Sequence, residues 1–265
     1  MKRITHLHSL KAHGEKIAAL TAYDASFSHL LESQGVEVIL VGDSLGMVIQ
    51  GYSDTLRVSL RDVIYHTQQV VRGCQQAFIM ADLPFGTYGT VDQALHSATA
   101  LIRAGAAMVK IEGGAWLAET VAVLQQRGIP VCAHVGLAGQ FIHSTGGYRI
   151  QGHDDEEINT LITDVQALQT AGAAMIVLEC VSLAATTAIM RVATVPVIGI
   201  GAGPETDGQI LVTYDMLGLT PKQPYKFVKN FMDGKITSIS EAIKAYVIAV
   251  KQKTFPSLEH CFTCR

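Results

Sequence analysis

The sequence predicts an α/β fold, a closed (β/α)8 TIM barrel in a single domain, on three observations. Short apolar segments rich in Val and Ile alternate with amphipathic segments along almost the whole chain. A unit repeats: IRAGAAMVKIE (102–112) aligns with LQTAGAAMIVLE (168–179) through a shared AGAAM, and each copy leads on to a strand opening with Pro-Val, at 130–131 and 196–197. No Pro/Gly/Ser-rich linker divides the 265 residues, and such a barrel fits in about 250. An open doubly wound sheet is the alternative. The first strand carries no GxGxxG, which counts against its dinucleotide-binding form.

The strand segments, in order, are 17–24, 36–44, 77–84, 107–114, 130–136, 174–180, 196–203 and, with the weakest pattern, 209–217. Each is short and apolar, as a strand covered on both faces should be. Between them lie helix signals. Thr90 is placed to cap VDQALHSATALIRAG, with Gln93 three residues on as in a capping box. DDEEINTLITDVQALQTAG starts acidic and ends at Gly172, which suits the helix dipole and a glycine C-cap. A last helix is expected over 238–253, and short extensions flank the barrel at either end.

Composition excludes several classes. A net charge of −3 favours neither nucleic acid nor an anionic membrane. No apolar run approaches the roughly 18 residues of a membrane span, and the polar start MKRITHLHSLKAHGEK holds no signal-peptide core. A cytoplasmic protein is expected. Hydrophobic residues make up 49% and mean hydropathy is +0.28, enough for a large core and for apolar surface buried between subunits. Of five cysteines, Cys261 and Cys264 form one CFTC near the end. A single CxxC without a second pair reads as reduced thiols rather than a zinc or redox site.

Chemistry gathers at the C-terminal ends of the strands, the active-site face of such barrels. The repeat superimposes Glu112 on Glu179, both at a strand end. Asp24, Asp43 with Ser44, and Asp82 end the first three strands; Lys110 shares a strand face with Glu112; His134 lies in the fifth. Each has a bland reading: Asp24 and Asp43 as helix N-caps, Lys110 and Glu112 as an ion pair, His134 as a core histidine. Together the carboxylates would repel in one low-dielectric bowl, and Lys110 offsets only one. A divalent cation is the economical neutraliser, and an all-oxygen set favours Mg²⁺ over Zn²⁺. GIGAG (199–203) reads as a tight turn or a phosphate loop, with the turn preferred.

Read collinearly, LTAYD, VGDSLGM with QGY, TLRVSLRDVIYHTQQVVRG, ADLPFGTYG, AGAAMVKIEGG, GGYRIQG, VLEC and VPVIGIGAGPETDGQILV resemble the ketopantoate hydroxymethyltransferase family along nearly the whole chain. The resemblance implies a barrel of the phosphoenolpyruvate/pyruvate type. It implies transfer of a hydroxymethyl group from methylenetetrahydrofolate to α-ketoisovalerate, through an enolate stabilised by one Mg²⁺ per subunit. Asp43, Asp82 and Glu112 match the family's magnesium residues, and Ser44 and Lys110 its contacts to the substrate carboxylate. Glu179 matches the proposed general base, and His134 an active-site histidine. A large homo-oligomer, commonly a decamer, is also implied. The chain departs in GLTPKQPYKFVKNF, which has Lys-Gln-Pro where the relatives are glycine-rich, and in the tail LEHCFTCR. The first departure falls where a lid or the folate pocket is expected.

Overall fold

All eight predicted strands form: β1 (Ile17–Thr21), β2 (Val38–Val41), β3 (Phe78–Asp82), β4 (Met108–Glu112), β5 (Val131–Gly136), β6 (Met175–Glu179), β7 (Val197–Ile200) and β8 (Gly208–Leu211). The first seven lie within their predicted segments; the eighth is displaced, and residues 213–216 of its predicted segment 209–217 are helical. They are seen in a computed structural model that describes residues 3–147, 149–221 and 224–263. The strands pair in parallel in chain order, and β8 pairs back on β1, so the sheet closes. Closure leaves no bare edge and buries nearly every strand side chain, which is why the strands read as unbroken apolar runs.

The intervening helices are α1 (Ile4–Ala12), α2 (Ala25–Ser33), α3 (Leu45–Val48), α4 (Leu60–Gly73), α5 (Val91–Arg103), α6 (Ala118–Gln126), α7 (Ile142–Thr145), α8 (Asp155–Thr170), α9 (Leu183–Val192), α10 (Thr213–Met216) and α11 (Ile239–Lys251). Asp24 is the cap of α2, its Oδ1 accepting from Phe27 N at 2.8 Å. Thr90 caps α5 as expected. The predicted capping box is not completed, because the Gln93 side chain accepts from Gly89 N rather than Thr90 N. Gly105 and Gly172 turn the chain at φ of 110° and 106° in the two copies of the repeat, a backbone region that penalises a Cβ. The final helix starts at its Ser238 cap.

One helix is missing from an ideal barrel. β7 and β8 are joined by residues 201–207 alone. Gly201 and Gly203 take φ of 64° and 76° there. A Cβ on Gly203 would fall 2.3 Å from Leu183 Cδ2, so GIGAG serves a packed turn. The loop returns under the barrel, where Asp207 Oδ2 accepts from Val197 N at 2.9 Å and from Lys11 of α1 at 2.7 Å.

The seam between β1 and β8 is braced from outside. Tyr246 of α11 is fully buried, with its hydroxyl 2.9 Å from both Ala19 O and Gln209 O. The segment after α11 then climbs to the catalytic face, where Leu183 N donates to Phe262 O at 2.9 Å and Lys226 Nζ donates to Cys261 O at 2.6 Å. Cys74, Cys132, Cys180 and Cys261 are buried free thiols. Cys264, the other half of the CFTC pair, and Lys222 and Gln223 of the divergent segment lie outside the described residues. Among the described residues no helix is long and apolar enough to cross a membrane.

Candidate active site

The strand register sets the site. Asp82 of β3 pairs with Lys110 of β4, and Glu112 of β4 with His134 of β5. Side chains that alternate inward on neighbouring strands therefore meet in the barrel mouth. Asp43, Ser44, Asp82, Lys110, Glu112, His134 and Glu179 all line one cavity of about 640 Å³. The seven site residues expected from the sequence are thus brought together.

Lys110 is the hub. Its Nζ lies 2.8 Å from Asp82 Oδ1, 3.0 Å from Glu112 Oε1 and 3.2 Å from His134 Nδ1. Burial works against its charge, yet Asp82, Glu112 and Asp43 hold its pKa well above the ordinary value. Glu112 also accepts from His134 Nδ1 at 3.0 Å and from Gln140 N at 3.1 Å. Burial would raise its pKa, but Lys110 and His134 pull it far below the carboxylate range. On the far side of the ring, His134 Nε2 stands 3.3 Å from Glu179 Oε2, close enough for attraction but without hydrogen-bond alignment. Burial lowers the His134 pKa, but Glu112 outweighs that and moves it up to about 9. Nε2 faces Glu179, and Nδ1 faces both the Glu112 carboxylate and the Lys110 ammonium, so the carboxylates draw a proton onto the ring against the repulsion of Lys110.

Asp43 and Asp82 are the strained pair. Asp82 Oδ2 accepts from Asp43 N at 2.9 Å, while its buried Oδ1 has the Lys110 ammonium beside it. Burial first, then repulsion from Asp82 and Glu112, pushes Asp43 up to about 8. Burial also raises Asp82 against the pull of Lys110. Gly42 lets the two approach, since a Cβ there would sit 2.9 Å from Ser44 Oγ and 3.3 Å from Asp82 Oδ2. Ser44 is held by the Tyr23 hydroxyl at 2.8 Å.

The donor set suits a hard cation at Asp43 and Asp82: two buried carboxylates joined through the Asp43 amide, which with Glu112 are in surplus over nearby positive charge. Mg²⁺ commonly takes one or two carboxylates and fills its remaining positions with water and substrate oxygens. The expected third ligand, Glu112, is already engaged by other partners. Among the described residues no three His, Cys, Asp or Glu side chains converge at ligand spacing. Glu112 instead turns both oxygens onto Lys110, His134 and the Gln140 amide.

Gln140 was not read from the sequence. Its Nε2 donates to Asp43 Oδ2 at 2.9 Å and to Leu83 O at 3.0 Å, and its Oε1 accepts from the Tyr88 hydroxyl at 2.5 Å. It therefore fixes Asp43 and Glu112 together from the loop after β5. A glutamine among Leu-Ala-Gly and Phe carries no spacing signal, so only the fold shows it.

Comparison with known proteins bears on the family of the chain. The model of the ketopantoate hydroxymethyltransferase family matches residues 1–258. The 3-methyl-2-oxobutanoate hydroxymethyltransferase of Ralstonia nicotianae is 54% identical, covering 98% of this chain and 94% of that protein. Its namesake in Neisseria meningitidis is 51% identical, covering 99% of each. Among solved structures, a putative phosphonomutase from Burkholderia cenocepacia superposes with a TM-score of 0.65 at 17% identity, over 82% of this chain and 94% of that one. A phosphonopyruvate hydrolase complexed with oxalate and Mg²⁺ gives 0.64 at 14%, over 92% and 94%. Those two share the fold. The sequence match is what decides descent: over nearly its whole length this chain belongs to the ketopantoate hydroxymethyltransferase family.

Proposed function

We propose that the protein transfers a hydroxymethyl group from methylenetetrahydrofolate to 3-methyl-2-oxobutanoate, forming ketopantoate in pantothenate synthesis, with Mg²⁺ as cofactor. The names of its relatives support the transferase activity and the keto acid. The observation that carries the mechanism is that the charged end of one cavity holds two separate acidic positions. Asp43 and Asp82 form one; Glu179, beside His134, forms the other.

Asp43 and Asp82 would hold the cation, with Glu112 on its flank. When bound, Mg²⁺ supplies Lewis-acid stabilisation of charge developing on the keto oxygen, on the order of several kcal/mol. The remaining work belongs to the chain. Ser44 and Lys110 orient the substrate carboxylate, which points its C3 toward Glu179. Glu179, the most solvent-open carboxylate of the set with 24% of its side chain exposed, takes the C3 proton. His134, gripped by Glu112 through Nδ1, steers Glu179 through Nε2. The C3–H bond breaks and its electron pair forms the new bond to the donor's methylene carbon, while both bonds from that carbon to the donor nitrogens break. Water supplies the hydroxyl oxygen, and the two nitrogens end with the C3 proton and one proton of that water. A cytoplasmic homo-oligomer is part of the same proposal; exposed Trp116 and Phe85 supply apolar surface for subunit contact.

The test is proton NMR of 3-methyl-2-oxobutanoate in heavy water, with and without Mg²⁺ and without folate. Magnesium-dependent loss of the C3 proton signal is expected. Absence of exchange, both alone and with tetrahydrofolate added, overturns the reading.

A further inference from the structure

The cavity is far larger than a five-carbon keto acid needs; its volume of about 640 Å³ falls in the range that takes a drug-sized ligand. The charged cluster fills one end only. The other end is walled by the segment after β8 and by the tail, the two stretches singled out in the sequence as departures. Tyr225 and Phe227 stack there with ring planes 1° apart and centroids 5.5 Å apart. Phe262 meets Phe227 edge-on at 6.5 Å. Lys226 fixes this corner by donating to Cys261 O and lying 5.4 Å above the Phe262 ring.

One acid stands in this aromatic half. Asp215 lines the cavity and is half-buried. One of its oxygens accepts the Thr220 hydroxyl. Among the described residues it takes part in no ion pair. Burial raises its pKa. The Tyr225 phenol is raised by burial, then by Asp215 and Glu179, so it lies within the field of this acid and of the acid at the charged end. A flat apolar wall with one carboxylate at its edge suits a planar heteroaromatic ring that carries adjacent N–H donors.

We propose that Tyr225, Phe227, Phe262 and Asp215 form the subsite for the pterin ring of the one-carbon donor. The rings flank the face of the pterin, and Asp215 accepts its amino and ring N–H hydrogens. This rests on the function proposed above and adds where the second substrate sits. The tail then belongs to the binding site.

Calorimetric titration of the full-length Mg²⁺-loaded protein separates the two readings, with tetrahydrofolate and 3-methyl-2-oxobutanoate as separate titrants. Asp215→Asn should weaken tetrahydrofolate about tenfold or more. Phe262→Leu and Tyr225→Leu should each weaken it about fivefold. The keto-acid Kd should stay within about twofold in all three, since their side chains lie at the other end of the cavity. 6-Hydroxymethylpterin, the ring without its tail, should compete with tetrahydrofolate in wild type and lose that ability in Asp215→Asn. Unchanged tetrahydrofolate affinity in the three variants overturns the subsite while leaving the proposed reaction standing. Equal weakening of both titrants in variants that melt like wild type also overturns it. A wild type that binds neither titrant removes the proposed function, and the subsite with it. Tyr225 is 41% exposed, so its variant keeps the test open should another misfold.

Discussion

Glu112 and Glu179 occupy the same last position of β4 and β6, and His134 stands between them, 3.0 Å from one and 3.3 Å from the other. Duplicated positions have taken opposite environments. Glu112 is sealed against two cations, and Glu179 opens to the cavity. Only the second is free to accept a proton from a substrate.

Glu179→Gln should therefore bind the keto acid as wild type does but exchange its C3 proton about 10²–10⁴ times more slowly. The heavy-water NMR assay reads this directly. Exchange at the normal rate would move the base to another residue.

Mg²⁺ should raise the melting temperature of the wild type. Saturation at a hundredfold over Kd contributes about 2.7 kcal/mol. Asp43→Asn and Asp82→Asn should lose that response. After chelation, Asp43→Asn should melt no lower than wild type, because it removes one of two crowded carboxylates. A variant that keeps the full magnesium shift excludes its residue from the cation site.

Gln140→Ala strips partners from Asp43 Oδ2, Leu83 O and the Tyr88 hydroxyl at once. Leaving buried polar groups unpaired costs about 1–3 kcal/mol each. Urea denaturation should show a loss at the upper end of that range, and magnesium affinity should fall with it as Asp43 loses its anchor. A neutral effect on both would reduce Gln140 to a spacer.

Glu32 offers a pH test away from the site. Burial would raise its carboxyl, but the Cys74 thiol and the amides of Ala77, Gln75 and Gln76 bring it down to about 2. A depressed carboxylate stabilises the fold above its unfolded pKa of about 4.5, and that contribution fades as pH falls toward 2. Glu32→Gln should cost about 1–2 kcal/mol near neutrality, allowing for solvent screening. The gap between the two proteins should close between pH 4.5 and 2, as thermal melts across that range will read.

The barrel was legible because each strand had to be apolar on both faces, and because AGAAM marks a helix end and turn twice. The acids at the strand ends were legible for the same reason: a charge closing an apolar run has few places to go. Asp24 was undecided in the sequence, since a cap and a catalytic acid follow a strand alike; its bond to Phe27 N settles the cap. Gln140, Asp215 and Phe262 were not legible. Gln140 and Phe262 sit in connecting or terminal segments, and Asp215 in a short helix that the sequence reads as the end of the eighth strand; a lone glutamine, aspartate or phenylalanine has no periodicity to betray it. The absence of a helix between β7 and β8 was legible, because the apolar segments 196–203 and 209–217 leave only residues 204–208 between them.

The brace of Tyr246 on Ala19 and Gln209 has a bearing on biogenesis. β1 leaves the ribosome early, yet its second neighbour, β8, begins only at Gly208, and the tyrosine that spans the joint follows later still. For most of synthesis the nascent sheet carries an open, apolar flank. Closure across so long a separation is slow, and the exposed flank invites association with other chains. Holdase demand during translation should therefore drop abruptly once α11 has emerged, and Tyr246→Phe should prolong it.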